Sequence, residues 1–231
     1  MKWKTYFFDT VDSTNTQARL YDIGSIIVAK KQTSGRGRYG RVWHSDIGNL
    51  YISFVVSQFG IQTPLLAFLF GVAVCEALPE FSLRLKWPND VLLNGGKLAG
   101  ILLEQEDNKL IAGIGLNVTT APHENMLYQT ASLNGQVTNE EVLKRLMRTV
   151  SDNMDLFIEK GFEPIREKWL KYGYGIGTQI SVKLPNETLS GIFEELTPQG
   201  AISLKLNNGT RRLITVGDVF FDNKEMKEEN K

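Results

Sequence analysis

A chain of 231 residues with 26 basic and 26 acidic side chains carries no net charge, and 42% of it is hydrophobic. This is ordinary globular composition, long enough for one large domain or a large one plus a small one. Zero net charge excludes a surface that coats nucleic acid or anionic membrane as a whole, so any anion binding is local. The single cysteine, Cys75, excludes an internal disulfide and a cysteine zinc cluster and fits a reducing, cytoplasmic compartment.

The opening "MKWKTYFFDTVDST" has no apolar stretch and no small-residue cleavage site, so no signal peptide is expected. In "VDSTN", Asp12, Ser13 or Thr14 caps a short helix. "SIIVAKK" reads as a strand. "NLYISFVVS" alternates, with Leu50, Ile52, Phe54 and Val56 on one face of a half-buried strand. The apolar run Pro64 to Leu78 is too short for a bilayer and reads as a core helix that buries Cys75. "LRLKW" is a strand stopped by Pro88. Three strands follow within 89–118, separated by turn signals at Asn94-Gly95-Gly96 and Asp107-Asn108. Residues 139–160 place Leu143, Leu146, Met147, Val150, Met154 and Phe157 at helical spacing, with a Thr138/Glu141 capping box before them and Gly161 after. A second helix spans about 164–171. From Gly177 four short strands, separated by turns, suggest a small barrel. The expected domains are 1–175, mixed α+β, and 176–223, all β. Residues 224–231 form a solvated tail.

The stretch 30–41 holds five cations, Lys30, Lys31, Arg36, Arg38 and Arg41, and no acid. Glycines at 35, 37 and 40 let the backbone curl and expose N–H groups, and arginines suit phosphate or carboxylate. The spacing matches neither a P-loop nor a dinucleotide fingerprint. In isolation it also reads as a solvated loop or an Arg-Gly nucleic-acid segment. "LKWPND" puts Asn89 and Asp90 at a strand exit, where polar groups reach ligands; Asp90 could bind Mg²⁺ or could sit in a plain turn. Lys97 opens an apolar strand, either snorkelling or facing an anion. Gly113 and Gly115 clear one face of a strand for a flat ligand or for close packing, and Asn117 continues that face. His44 and His123 lack metal-ligand spacing, and no Ser-His-Asp or Cys-His set stands out.

Taken in order, "VDSTN", "QTSGRGRYGRVW", "KWPNDV", "KLAGIL" and "GIGLNV" resemble the biotin protein ligases over nearly the whole chain. The resemblance implies a class II aminoacyl-tRNA synthetase-like catalytic fold, a mixed central sheet with flanking helices, plus a small SH3-like barrel. Because it starts near residue 1, no helix-turn-helix domain and no operator binding are expected. It implies ATP-dependent activation of biotin to biotinyl-5′-AMP. The biotinyl group then passes to a lysine of a biotin carboxyl carrier protein, with Mg²⁺ as cofactor.

It also implies site roles. Ser13, Thr14, Asn15, Gln32 and Gly35 would hold the biotin ring, and Gly113 and Gly115 would form the floor beneath it. Arg36, Gly37 and Arg38 would wrap the carboxylate and phosphate, and Lys97 would bridge them as the main catalytic cation. Lys86, Asn89 and Asn117 would organise ATP, and Trp43 would cover the adenine side. Asp90 and Asn117 would hold Mg²⁺, and Asp90 is also the candidate base. Neither nucleic acid nor membrane is an expected partner, and the protein is expected to be a monomer or homodimer.

Three segments depart from the family pattern: "WHSD", "QTASL" and the closing "GDVFFD". The second unsettles the adenine loop around 120–133, the last the second domain's contacts. The nearest rival is a lipoate or octanoate ligase or transferase, against which a buried Cys75 counts.

Overall fold

The computed structural model describes residues 2–122 and 129–221. Its first sheet has seven strands in the order β1-β2-β3-β7-β6-β5-β4. The strands are β1 (Lys4–Val11), β2 (Ser25–Gln32), β3 (Leu50–Ser57), β4 (Leu83–Lys86), β5 (Asp90–Leu93), β6 (Gly96–Glu106) and β7 (Lys109–Leu116). Only β1 and β2 run parallel; the other pairs are antiparallel. This is the mixed sheet with flanking helices that the motifs implied.

The sheet is covered on both faces. α2 (Leu66–Ala77), α3 (Asn139–Lys160) and α4 (Glu163–Tyr172) pack on one side with Leu50, Ile52, Phe54 and Val56. α1 (Thr14–Ala18) lies on the other, where Ala18, Ile27, Val55 and Ile111 form a second cluster. β3 is therefore buried from Leu50 to Val56 on both faces, not half-buried as its alternation suggested. The second face, Tyr51, Ser53 and Val55, is covered by α1 and the residues around it. β1 has no counterpart in the sequence reading. It is an edge strand in which Tyr6 and Phe8 pack inward while Phe7 is 70% exposed.

Local chemistry sets the ends of the elements. Asn94 and Gly95, both at positive φ, form the two-residue turn between β5 and β6, and Leu93 pairs with Gly96 across it. Thr138 Oγ1 accepts from Glu141 N–H at 3.2 Å, and Gly161 ends α3 at φ 73°. α2 is apolar all round because it is enclosed by the sheet, α3 and α4. Cys75 lies inside it, 2% exposed.

The second sheet is antiparallel and SH3-like, ordered β11-β10-β9-β8-β12. It comprises β8 (Gln179–Lys183), β9 (Thr188–Leu196), β10 (Ile202–Leu206), β11 (Arg211–Ile214) and β12 (Asp218–Phe221). The fifth strand, β12, lies in the segment read only as a departure from pattern. Contacts that join this sheet to the first domain include Trp87 Nε1–H, which donates to Gly200 O at 2.9 Å, and Asp218 of β12, which reaches Arg38 and Arg41 of the loop at 36–41. The tail 224–231 and the 123–128 part of the expected adenine loop lie outside the described residues.

Candidate active site

A cavity of about 320 Å³ opens where α1, the end of β2, the loop at 36–44, the 86–90 turn, β6, β7 and β12 meet. Most of the expected residues border it: Ser13, Thr14, Asn15, Gln32, Arg36, Gly37, Arg38, Trp43, Lys86, Asn89, Asp90, Lys97, Gly113 and Gly115.

Two do not. Gly35 lies behind the loop, where an added Cβ would stand 2.5 Å from both Ser45 Oγ and Trp43 O; it is needed for packing. Asn117, 2% exposed, gives its amide hydrogens to Ala131 O at 3.0 Å and Lys97 O at 3.4 Å. It clamps the 129–133 segment instead of facing the cavity. Thr130 bridges to Lys97, and Lys97 N–H donates to Gln129 O at 2.8 Å.

At one end the polar groups are interlocked. Gln32 Oε1 accepts from Thr14 N–H at 2.8 Å, and Gln32 Nε2 donates to Ser45 Oγ at 2.8 Å. Ser53 Oγ–H donates to Asn15 Oδ1 at 2.6 Å, and Asn15 Nδ2 donates to Glu104 at 2.8 Å. Ser13 stands at the N-cap of α1 but makes no capping bond with its side chain.

The other end is cationic. Arg36, Arg38, Arg41, Lys86 and Lys97 border the cavity against two carboxylates, Asp90 and Asp218. Lys97 Nζ pairs with Asp90 Oδ1 at 2.7 Å and lies 5.3 Å from the Trp43 ring centre. Arg38 donates to Asn89 Oδ1 at 3.1 Å and to Tyr39 Oη at 2.8 Å, and sits 3.9 Å from Asp218. Arg41 pairs closely with Asp218. Burial pushes the Lys86 ammonium below its usual range, with nearby Lys97 adding to the effect and Asp90 opposing it.

The loop differs from a backbone nest. Gly37 N–H donates to Arg41 O at 2.7 Å and Trp43 N–H to Gly35 O at 2.9 Å, closing a small hairpin. The loop's donors toward the cavity are therefore its guanidinium groups, not exposed backbone N–H groups. Only Gly40, at φ 71°, uses glycine's freedom; Tyr39 also sits at φ 56°.

The glycine floor carries side chains. An added Cβ on Gly113 would stand 2.2 Å from Asn15 Oδ1, and one on Gly115 would stand 2.3 Å from the Trp43 ring. Asn15 is held by Ser53 and Glu104 and has nowhere to retreat. Gly113→Ala is therefore expected to destabilise the protein by about 1–3 kcal/mol, read by denaturant unfolding. Unchanged stability would show that Asn15 moves freely.

Ser53, Glu104 and Asp218 were missed in the sequence. Ser53 left a trace, a lone serine in the apolar run "LYISFVV". Asp218 left none, because its contact depends on how β12 folds back.

Two family models match the chain: the biotin/lipoate A/B protein ligase family over residues 7–120 and the biotin protein ligase C-terminal domain over 175–222. The chain is 34% identical to the biotin–[acetyl-CoA-carboxylase] ligase of Paracoccus denitrificans, over 91% of this chain and 97% of that one. It is equally similar to the bifunctional ligase/repressor BirA of Bacillus subtilis, over 83% of this chain but 65% of that one, so it spans just under two thirds of that relative. Among solved structures, the biotin protein ligase from Aquifex aeolicus in complex with biotin and ATP superposes with a TM-score of 0.83 at 30% identity, covering 94% of this chain and 97% of that one. With its mixed sheet, its cationic cavity and matches reaching from residue 7 to residue 222, the chain belongs to the biotin protein ligase family.

Proposed function

We propose that this protein activates biotin with ATP and transfers the biotinyl group to one lysine of a biotin carboxyl carrier protein. One observation carries the reading: a single cavity joins a hydrogen-bonding pocket at Thr14, Asn15 and Gln32 to a belt of five cations. A biotin ring fits the first and a carboxylate meeting a triphosphate fits the second.

In the first step a biotin carboxylate oxygen attacks the α-phosphorus and pyrophosphate leaves. Both reactants are anions, so positioning and charge stabilisation supply most of the catalysis. Lys97, on rigid β6, bridges the carboxylate and α-phosphate; Arg36 and Arg38 close over them; Lys86 and Asn89 face the phosphates. Trp43, which lies on Gly115 and beside Lys97, shifts to cover the adenine side. In the second step the carrier lysine attacks the acyl carbon and AMP leaves, with Asp90 taking the proton.

Mg²⁺ commonly binds through one or two carboxylates together with substrate phosphates. Among the described residues no cluster of three or more His, Cys, Asp or Glu gathers, so a resident all-protein metal site does not fit, whereas an ion carried in on the triphosphate does. Asp90 would hold it, and the ion would offset phosphate charge. No helix among the described residues is long and apolar enough to cross a membrane, and a cytoplasmic setting fits the free Cys75 thiol.

The test is incubation with biotin, ATP and a carrier domain, followed by mass spectrometry. One biotinyl group on one lysine is expected, and no mass change contradicts the reading. Lipoate is the competing substrate, since the larger family model includes lipoate ligases. A cysteine-based acyl transferase is disfavoured because Cys75 is buried and burial raises its thiol pKa.

Lys86 gives a pH signature. Its pKa is lowered by burial, and a bound triphosphate raises it again. Between the lowered value and the ordinary 10.5, ATP binding draws a proton onto Lys86, so affinity falls as pH rises through that window. Calorimetry in buffers of different ionisation enthalpy is expected to show proton uptake that Lys86→Met abolishes. Equal uptake by the variant would assign the proton elsewhere.

A further inference from the structure

Tyr39 stands in the middle of the cationic loop with its backbone in the left-handed region, φ 56° and ψ 32°. A bulky side chain is uncommon there, and the conformation stores strain that other contacts must offset. Burial does not offset it, because Tyr39 is 61% exposed. The ring does not serve the ligand directly either, since Tyr39 is not among the residues that border the cavity.

What the ring meets is the two arginines that flank it. Arg38 Cζ lies 4.8 Å from the ring centre and Arg41 Cζ 5.5 Å, both within cation–π range. Arg38 Nη2–H also donates to Tyr39 Oη at 2.8 Å. Both arginines border the cavity. Two guanidinium groups gathered on one ring repel each other, and Asp218 offsets part of this: it pairs closely with Arg41 and stands 3.9 Å from Arg38. A carboxylate, however, takes up the N–H edge that a phosphate needs. A ring face attracts the planar cation and leaves that edge available.

We infer that Tyr39 is a positioning residue: its strained backbone turns the ring onto Arg38 and Arg41 and holds both guanidinium groups at the cavity, ready for a phosphate. This deepens the biotinyl-adenylate reading and rests on it. Without the ring the two long side chains regain rotamer freedom that phosphate binding must then remove.

The test is calorimetric titration of the full chain with biotinol, in which a hydroxymethyl group replaces the carboxylate, and with biotinol-5′-AMP, a stable analogue of the adenylate. Biotinol reads the ring pocket alone; the analogue adds the phosphate. Tyr39→Asn introduces a residue that tolerates the left-handed backbone and removes the ring. It is expected to weaken the analogue about tenfold while biotinol affinity and melting temperature stay at the wild-type values. Tyr39→Phe keeps the ring and is expected to lose only about threefold. In an Arg38→Gly background the Tyr39→Asn loss is expected to shrink to about threefold, because one of the two held cations is gone. Biotinol weakened by the same factor as the analogue, or a lowered melting temperature, would mark a structural role and overturn the inference. So would a Tyr39→Phe loss as large as that of Tyr39→Asn, which assigns the effect to the hydroxyl; an undiminished loss in the Arg38→Gly background, which puts the ring on the ligand itself; or no loss in Tyr39→Asn. A wild-type protein that binds neither probe, or biotinol alone, would instead overturn the adenylation reading itself.

Discussion

Replacing Lys97 with alanine is expected to lower biotin-dependent ATP–pyrophosphate exchange by about 10²–10³-fold, the usual cost of removing one charge-stabilising donor from a preorganised site. The position leaves few alternatives. Lys97 Nζ is only part-exposed, on a central strand, pinned between Asp90 and the Trp43 ring. The other cavity lysine, Lys86, has its ammonium against Phe220 and Phe221, 5.7 Å from each ring. The variant also leaves the Asp90 carboxylate, 14% exposed, without its ion-pair partner, so some loss of melting temperature is expected. Lys97→Ala combined with Asp90→Asn separates the effects: it is expected to recover stability without recovering exchange. Pyrophosphate exchange at the wild-type rate in Lys97→Ala would remove Lys97 from the mechanism.

Arg38→Gly is expected to act on retention of the intermediate. Arg38 ties the loop to Asn89 on one side and to the Gly217 carbonyl, at 3.5 Å, on the other, so it spans the cavity between the two sheets. Without it the loop loses these two ties, keeping the Arg41–Asp218 pair, and loses a cation at the cavity. The adenylate should then still form but escape, and carrier-free acylation of bystander lysines should rise at least about tenfold, in line with the loss of a charged hydrogen bond worth about 1.5–3 kcal/mol. Mass spectrometry of an added bystander protein reads this directly. No rise in bystander labelling, with adenylate still made, would show that retention lies elsewhere.

These residues were legible in sequence because each belongs to a short motif with its own chemistry, and the motifs occur in a fixed order. The amphipathic α3 and the Asn94-Gly95 turn were legible for a different reason, since periodicity and positive φ leave direct traces in residue type. What was not legible depends on tertiary approach. Gly35 looked like a flexible loop glycine and proves to be squeezed against Ser45 and Trp43. Asn117 looked like a ligand on the Gly113–Gly115 face and instead clamps Ala131. Asp218 reaches Arg38 and Arg41 from about 180 residues away, a distance at which no local pattern carries information. In β3 alternation of apolar and polar residues normally marks one wet face, and here α1 covers it.

The most direct test of the central claim is ATP–pyrophosphate exchange by the purified chain with biotin, lipoate and octanoate compared side by side. Exchange with biotin alone is the predicted result and establishes the adenylation half-reaction. Exchange with lipoate or octanoate but not biotin would contradict the account and assign the cavity to a different acid.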